Sequence, residues 1–139
     1  MSTPCVFCQI AGGAAPASLV YEDTDIVAFL DLHPVHTGHT LVAPRAHAVD
    51  LRDCTPALAA RLFEVSARIA PAVVEATSAD GFNIWTAAGR AAGQTVFHVH
   101  LHILPRFVGD DFRVPKGGPP AAARSDLDAV AERIRRLGG

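Results

Sequence analysis

Net positive charge, long apolar runs and cysteine are all scarce in this chain of 139 residues. Its 12 Lys and Arg against 14 Asp and Glu give a formal charge of -2, so the broad basic field that holds long nucleic acids is missing. Polymeric nucleic acid is thereby excluded as an expected partner. A mononucleotide is not, since one phosphate needs only a few hydrogen bonds and local charges. No stretch approaches the roughly 20 apolar residues of a membrane span, and the opening MSTPCVFCQIAGG lacks the basic and apolar regions of a secretory signal. The expectation is no membrane association and a cytoplasmic location. The 3 cysteines are too few for a disulfide framework. Two of them stand as Cys5-x-x-Cys8, a spacing that fits metal or redox chemistry in a reducing compartment, and Cys54 is left over as an inert thiol.

What is present is apolar material for one core: 50% of residues are hydrophobic and 19% charged, in a length that suits a single domain over residues 1–139. Residues 18–22 and 25–32 read as strands joined by Asp23-Thr24, and residues 39–43 as a third strand closed by Pro44. Thr55-Pro56 is an N-cap followed by proline in the first turn, and Leu58, Leu62, Val65, Ile69 and Val73 recur at helical steps. Pro71 should kink or restart that helix. Residues 81–86 predict a fourth strand, 87–94 a small glycine-bearing loop, and 95–104 the longest alternating segment. A loop rich in Gly, Pro and Ala over 109–124 then leads to an amphipathic helix over 125–137. The predicted fold class is α+β: an antiparallel sheet of about five strands, one long covering helix and an extra C-terminal helix.

Chemistry concentrates in His98-Val99-His100-Leu101-His102. On an extended chain side chains alternate, so the three imidazoles should share one face and Phe97, Val99, Leu101 and Ile103 the other, against the core. Clustered imidazoles, each close to its protonation point at pH 7, call for a compensating anion, and a phosphate would supply it. One metal cannot collect all three, because His98 and His102 lie about 13 Å apart along a strand while metal–nitrogen bonds are near 2 Å.

Phe97-His98-Val99-His100-Leu101-His102-Ile103-Leu104 resembles the signature of the histidine triad (HIT) family, His-φ-His-φ-His-φ-φ with φ apolar. Cys5-Val-Phe-Cys8, Val20-Tyr-Glu-Asp23, Ala28-Phe-Leu-Asp31, Gly38-His-Thr-Leu-Val42, Pro44-Arg-Ala-His47, Gly81-Phe-Asn83 and Ala92-Gly-Gln-Thr-Val-Phe-His98 are similar, in order, to blocks of its Hint-like bacterial branch. The resemblance covers about the first 107 residues.

It implies a nucleotide hydrolase that frees a nucleoside monophosphate, AMP above all, from its leaving group in the manner of a phosphoramidase. His100 would attack the α-phosphorus and form a covalent nucleotidyl-imidazole. His102 and His39 would bear on the phosphate oxygens, and Gln94, Gly93 and Thr95 would contact the phosphate and the leaving group. Val6, Phe7, Ile10, Phe29 and Leu32 would hold the nucleoside, with Asp31 accepting hydrogen bonds from the ribose hydroxyls. A dinucleoside polyphosphate hydrolase and a nucleotide-binding regulator with little turnover are the alternatives. The family also implies a homodimer with a sheet continued across two copies, and a structural zinc ion on Cys5, Cys8, His47 and His98 that pins the N-terminus. One departure stands out: where family members commonly carry Asn before the glutamine, this chain reads Thr86-Ala87-Ala88-Gly89, so a polar contact to the phosphate is missing. His33 and His36 also stand where other side chains are usual, and read as surface residues.

Overall fold

The computed structural model describes residues 5–112 and 118–138, and residues 113–117 of the predicted loop lie outside that range. In chain order the elements are α1 (Val6–Ala11), β1 (Leu19–Glu22), β2 (Ile26–Leu30), β3 (Thr40–Pro44), α2 (Pro56–Thr77), β4 (Gly81–Trp85), β5 (Leu101–Arg106) and α3 (Arg124–Gly138). The five strands form one antiparallel sheet in the order β1-β2-β3-β5-β4.

Alternation within the strands builds two cores. Ala28, Leu30, Val42, Leu101 and Ile103 face α2 and α3, where they meet Leu62, Val65, Ile69 and Val73 of α2 and Leu127, Ala131 and Ile134 of α3. Each valine, leucine or isoleucine among them, once buried, contributes about 1.5–3 kcal/mol relative to exposure. Val27, Phe29, Leu41 and Ala43 face the other way and pack under Phe7 of α1. Strands β2 and β3 are therefore buried on both faces. The second face is only partly roofed, and the site lies there.

Local chemistry fixes the connections. The Asp23 carboxylate accepts the backbone N–H groups of Asp25 and Ile26, each at 2.8 Å, which closes the β1–β2 turn. Thr55 caps α2 by accepting the Leu58 N–H at 3.1 Å, with Pro56 in the first turn. Pro71 does not restart the helix, which runs unbroken to Thr77. Pro71 and Ala67, whose carbonyl it cannot bond, are both exposed residues on the outer side of the helix, while the flanking turns stay anchored in the core through Ile69, Ala70, Ala72 and Val73. Gly38 has φ +93, and a Cβ there would stand 2.5 Å from Cγ2 of Thr77. Only glycine lets this turn press against α2 and deliver His39 to the sheet.

The longest alternating segment is strand only in its second half, since β5 starts at Leu101 and not at Thr95. Upstream the chain leaves the ladder for other partners: the Val99 N–H donates to the Ala48 carbonyl at 2.7 Å, and Thr86 Oγ1 donates to the His100 carbonyl at 2.8 Å. Phe97 consequently does not join Val99, Leu101 and Ile103 in the core. It is partly exposed, with the Arg90 guanidinium 5.4 Å over its ring. Helix α1, across the Cys5–Cys8 pair, has no counterpart in the sequence prediction, because six residues are too few to show a period.

Candidate active site and metal centre

Register lays down the floor of the cleft. Leu19 pairs with Phe29, Phe29 with Leu41, Leu41 with His102, and His102 with Trp85, so one row of neighbours crosses all five strands on the open face. The cleft over this row measures 960 Å³. Val6, Phe7, Ile10, Phe29, Asp31, Leu32, Gly93, Thr95, His39, His100 and His102, all singled out from the sequence, line it.

Backbone groups decide which nitrogen of each histidine carries its proton. His100 Nδ1 lies 2.7 Å from the His98 carbonyl, an acceptor only, so Nδ1 must donate and Nε2 is left with a bare lone pair. His98 Nε2 likewise donates to the Pro44 carbonyl at 2.7 Å, which leaves its Nδ1 bare. His39 Nδ1 accepts the Val35 N–H at 3.2 Å, so its proton sits on Nε2 and is given to His102 Nδ1 at 2.9 Å. Neutral His102 then holds its own proton on Nε2. The site thus combines one imidazole acting as a lone pair with a neighbour acting as an N–H donor, their centroids 4.9 Å apart.

Burial keeps these rings neutral. It lowers the pKa of His100 below the ordinary histidine value, against the pull of the hydrogen bond to His98. Burial, with the rings of His100 and His36 adding to it, pushes His39 down to about 4. Burial and the neighbouring His100 and His39 push His102 to about 3. Asp31 moves upward for the same reason, and one of its oxygens stands 3.7 Å from His39 Nε2.

Gln94 is a correction. Its side chain is buried and does not line the cleft: Oε1 accepts the Gly89 N–H at 2.8 Å, while Nε2 donates to the carbonyls of Val49 at 2.6 Å and Val96 at 3.1 Å. Both amide N–H groups are thereby given to backbone carbonyls, and the side chain braces the turn between Gly89 and Gly93. His33 sits on the cleft rim with Nδ1 3.0 Å from the Pro119 carbonyl, and His36 pairs with Asp110 at 3.1 Å. Trp85 and Phe112 also line the cleft and escaped sequence reading. Pairing Trp85 with His102 across β4 and β5 was the available signal.

Among the described residues two groups gather three or more ligand-type atoms: Cys5, Cys8, His47 and His98, and separately Asp31, His39 and His102. In the second, a proton already bridges the two imidazoles. In the first, His98 Nδ1 lies 3.4 Å from Cys5 Sγ, 3.5 Å from Cys8 Sγ and 3.3 Å from His47 Nδ1, and Cys8 Sγ lies 3.4 Å from His47 Nδ1. Four ligands around tetrahedral zinc stand about 3.3 Å apart for two nitrogens and about 3.6 Å for nitrogen and sulfur. The bare nitrogen of His98 faces this centre, all three cysteines are free, and the donor set fits zinc.

Residues 13–109 match the model of the HIT domain family. An uncharacterized HIT-like protein of Mycobacterium tuberculosis is 50% identical over 114 residues, which cover 82% of this chain and 79% of that one. A protein of Arabidopsis thaliana named as an adenylylsulfatase is 39% identical over 106 residues, 76% of this chain and 54% of that one. The crystal structure of a zinc-bound histidine triad family protein from Mycobacterium smegmatis superposes with TM-score 0.85 at 41% identity, over 96% of this chain and 92% of that one. With two of the signature histidines, His100 and His102, lining the cleft on the open side of a five-stranded antiparallel sheet, and a family match spanning most of its length, this chain belongs to the HIT domain family.

Proposed function

We propose that this protein binds a purine nucleotide conjugate and transfers its nucleoside monophosphate, through His100, to water. One observation carries the reading: the 2.7 Å bond from His100 Nδ1 to the His98 carbonyl leaves Nε2 as a lone pair at the cleft beside the His102 donor. The His100 Nε2–phosphorus bond forms as the bond from phosphorus to the leaving group breaks, and the leaving group departs with the electron pair and takes a proton from solvent. Water then attacks phosphorus, gives a proton to solvent and breaks the nitrogen–phosphorus bond. The products are the nucleoside monophosphate and the protonated leaving group. His102 Nε2–H, oriented through His39, would donate to the phosphate oxygens as charge builds. Thr95 and Gly93 border the same region, while Phe7, Phe29, Ile10, Val6 and Leu32 would enclose the nucleoside and Asp31 would take the ribose hydroxyls. Relationship to a named adenylylsulfatase supports chemistry at an adenylyl α-phosphate.

Incubating wild type and His100→Ala with an adenosine 5′-phosphoramidate tests this. Wild type should release AMP and show a mass increase of one adenylyl group on rapid quench in alkaline denaturant, where the nitrogen–phosphorus bond survives, and the variant should do neither. Equal turnover by both would remove His100 from the reaction. Ala87, where the family's polar contact is missing, favours a second reading as a slow-turnover binder. AMP binding without measurable release by wild type would establish it.

Zinc on Cys5, Cys8, His47 and His98 would be structural, tying α1 and the segment after β3 to the histidine strand and supplying stability, with no part in the phosphoryl step. The homodimer is also proposed: β4 is an edge strand with Phe82 exposed on it, an open ladder that a second copy would extend. Sedimentation at micromolar concentration giving a monomer would exclude it. No helix among the described residues is long and apolar enough to cross a membrane. Free thiols at a zinc-binding set support the cytoplasm as the location.

A further inference from the structure

The row along the cleft floor ends in a side chain that the reaction above leaves unused. Trp85 is the chain's one tryptophan, and its ring lies parallel to His102, 2° between planes and 4.3 Å between centroids. Phe112 meets Trp85 edge to face at 5.7 Å and 89°, so the two rings form a right-angled corner. Ala87, two residues after Trp85, lines the same cleft and adds only a methyl group.

A second aromatic pair lies beyond the other histidine: Phe7 packs on Phe29 at 5.1 Å and on His100 at 5.0 Å. His100 and His102 therefore stand between two aromatic clusters. A phosphorus held by the histidines has one cluster for its nucleoside and another to spare. Size is compatible, because 960 Å³ lies within the roughly 300–1,000 Å³ of ligand sites and leaves room for a leaving group beside the nucleotide. Polarity narrows the occupant. Arg106, whose guanidinium lies 5.1 Å over Phe112, is already bonded to Asp110 at 2.9 and 2.6 Å and to Asn83 at 2.8 Å, so it is not an anion site. One face of Trp85 is taken by His102 and Arg106 lies over Phe112, so a flat ring would meet the aromatic surface that the two leave toward the cleft, where a sulfate or a second phosphate would meet ring carbon.

We infer that Trp85 and Phe112 form a leaving-group subsite for an aromatic ring joined by a short link to the α-phosphate, so that aromatic conjugates of a nucleotide are preferred over aliphatic ones. The inference rests on the nucleotidyl-transfer reading for its chemistry, but the subsite is also measurable by binding alone.

The test compares two adenosine 5′-phosphoramidates, of 2-phenylethylamine and 2-cyclohexylethylamine. The amines are alike in length, bulk and basicity, and only one carries a π-face. Aromatic contacts of this kind should favour the phenyl conjugate about 2- to 10-fold in kcat/KM, and by a similar ratio in Kd measured calorimetrically on His100→Ala. Trp85→Leu and Phe112→Leu should bring both ratios to near 1, while Trp85→Phe should keep part of the preference. Quenching of the single-tryptophan fluorescence by the phenyl conjugate, and less by the other, would be the matching spectroscopic sign. Equal kcat/KM and equal Kd for the two conjugates in wild type and His100→Ala respectively would overturn the subsite, as would a preference that survives both leucine variants. Absence of turnover with a retained Kd ratio would remove the hydrolytic reading and leave the subsite standing.

Discussion

Gly38→Ala perturbs the turn that carries His39, and the structure sets its cost. Two terms arise. Holding alanine at φ +93 costs about 1–3 kcal/mol, because only glycine adopts that backbone without crowding its own Cβ. The new methyl would also stand 2.5 Å from Thr77 Cγ2, with Pro105 and Val73 at 3.5 and 3.7 Å, and relieving that overlap should cost about 1–3 kcal/mol. A loss of about 2–6 kcal/mol is expected, a large share of the roughly 5–15 kcal/mol of an ordinary domain. Urea denaturation followed by circular dichroism gives the difference. Thr77→Ser separates the terms, since serine removes Cγ2 and keeps the hydroxyl that donates to the Val73 carbonyl at 2.8 Å. The double variant should recover the overlap term and not the backbone term, a coupling of about 1–3 kcal/mol. A Gly38→Ala protein within about 0.5 kcal/mol of wild type, or a cycle with no coupling, would refute the close approach on which the placement of His39 depends.

Gln94→Leu should destabilise by about 2–4 kcal/mol, because the Gly89 N–H and the Val49 and Val96 carbonyls lose their partner; thermal melting measures it, and an unchanged midpoint would return Gln94 to the phosphate. The acid limb of kcat/KM should fall below pH 6.5, since burial lowers the pKa of His100 and keeps its lone pair free; a limb above 6.5 would contradict this. For stability the sign is the same: His39, about 4 when folded and 6.5 when unfolded, contributes fully above pH 6.5 and progressively less as pH falls toward 4, which urea midpoints across that range would show. Dialysis against a strong chelator, or Cys8→Ser, should lower the melting temperature and release about one equivalent of zinc; a preparation free of zinc and indifferent to chelation would leave the four ligands without that role.

Sequence by itself determined whatever depends on period and local chemistry. The two-residue alternation of Leu101, His102 and Ile103 told core from cleft, the three- and four-residue steps from Leu58 to Val73 marked α2, and Thr55 marked its start. These signals are legible because each residue's partner is its near neighbour or a generic hydrophobic layer. Tertiary structure alone decided the rest. Alternation does not say where a ladder stops, so only the Ala48, Pro44 and Thr86 partners show that the chain leaves the sheet before Leu101. Composition does not say whether a glutamine is aimed at a ligand or spent on backbone; for Gln94 the fold brings the distant Val49 carbonyl to the amide beside the local Gly89 N–H and Val96 carbonyl. The tautomers of His39, His98 and His100 were likewise invisible in one dimension, because each is set by a backbone atom that only folding brings within 2.7–3.2 Å.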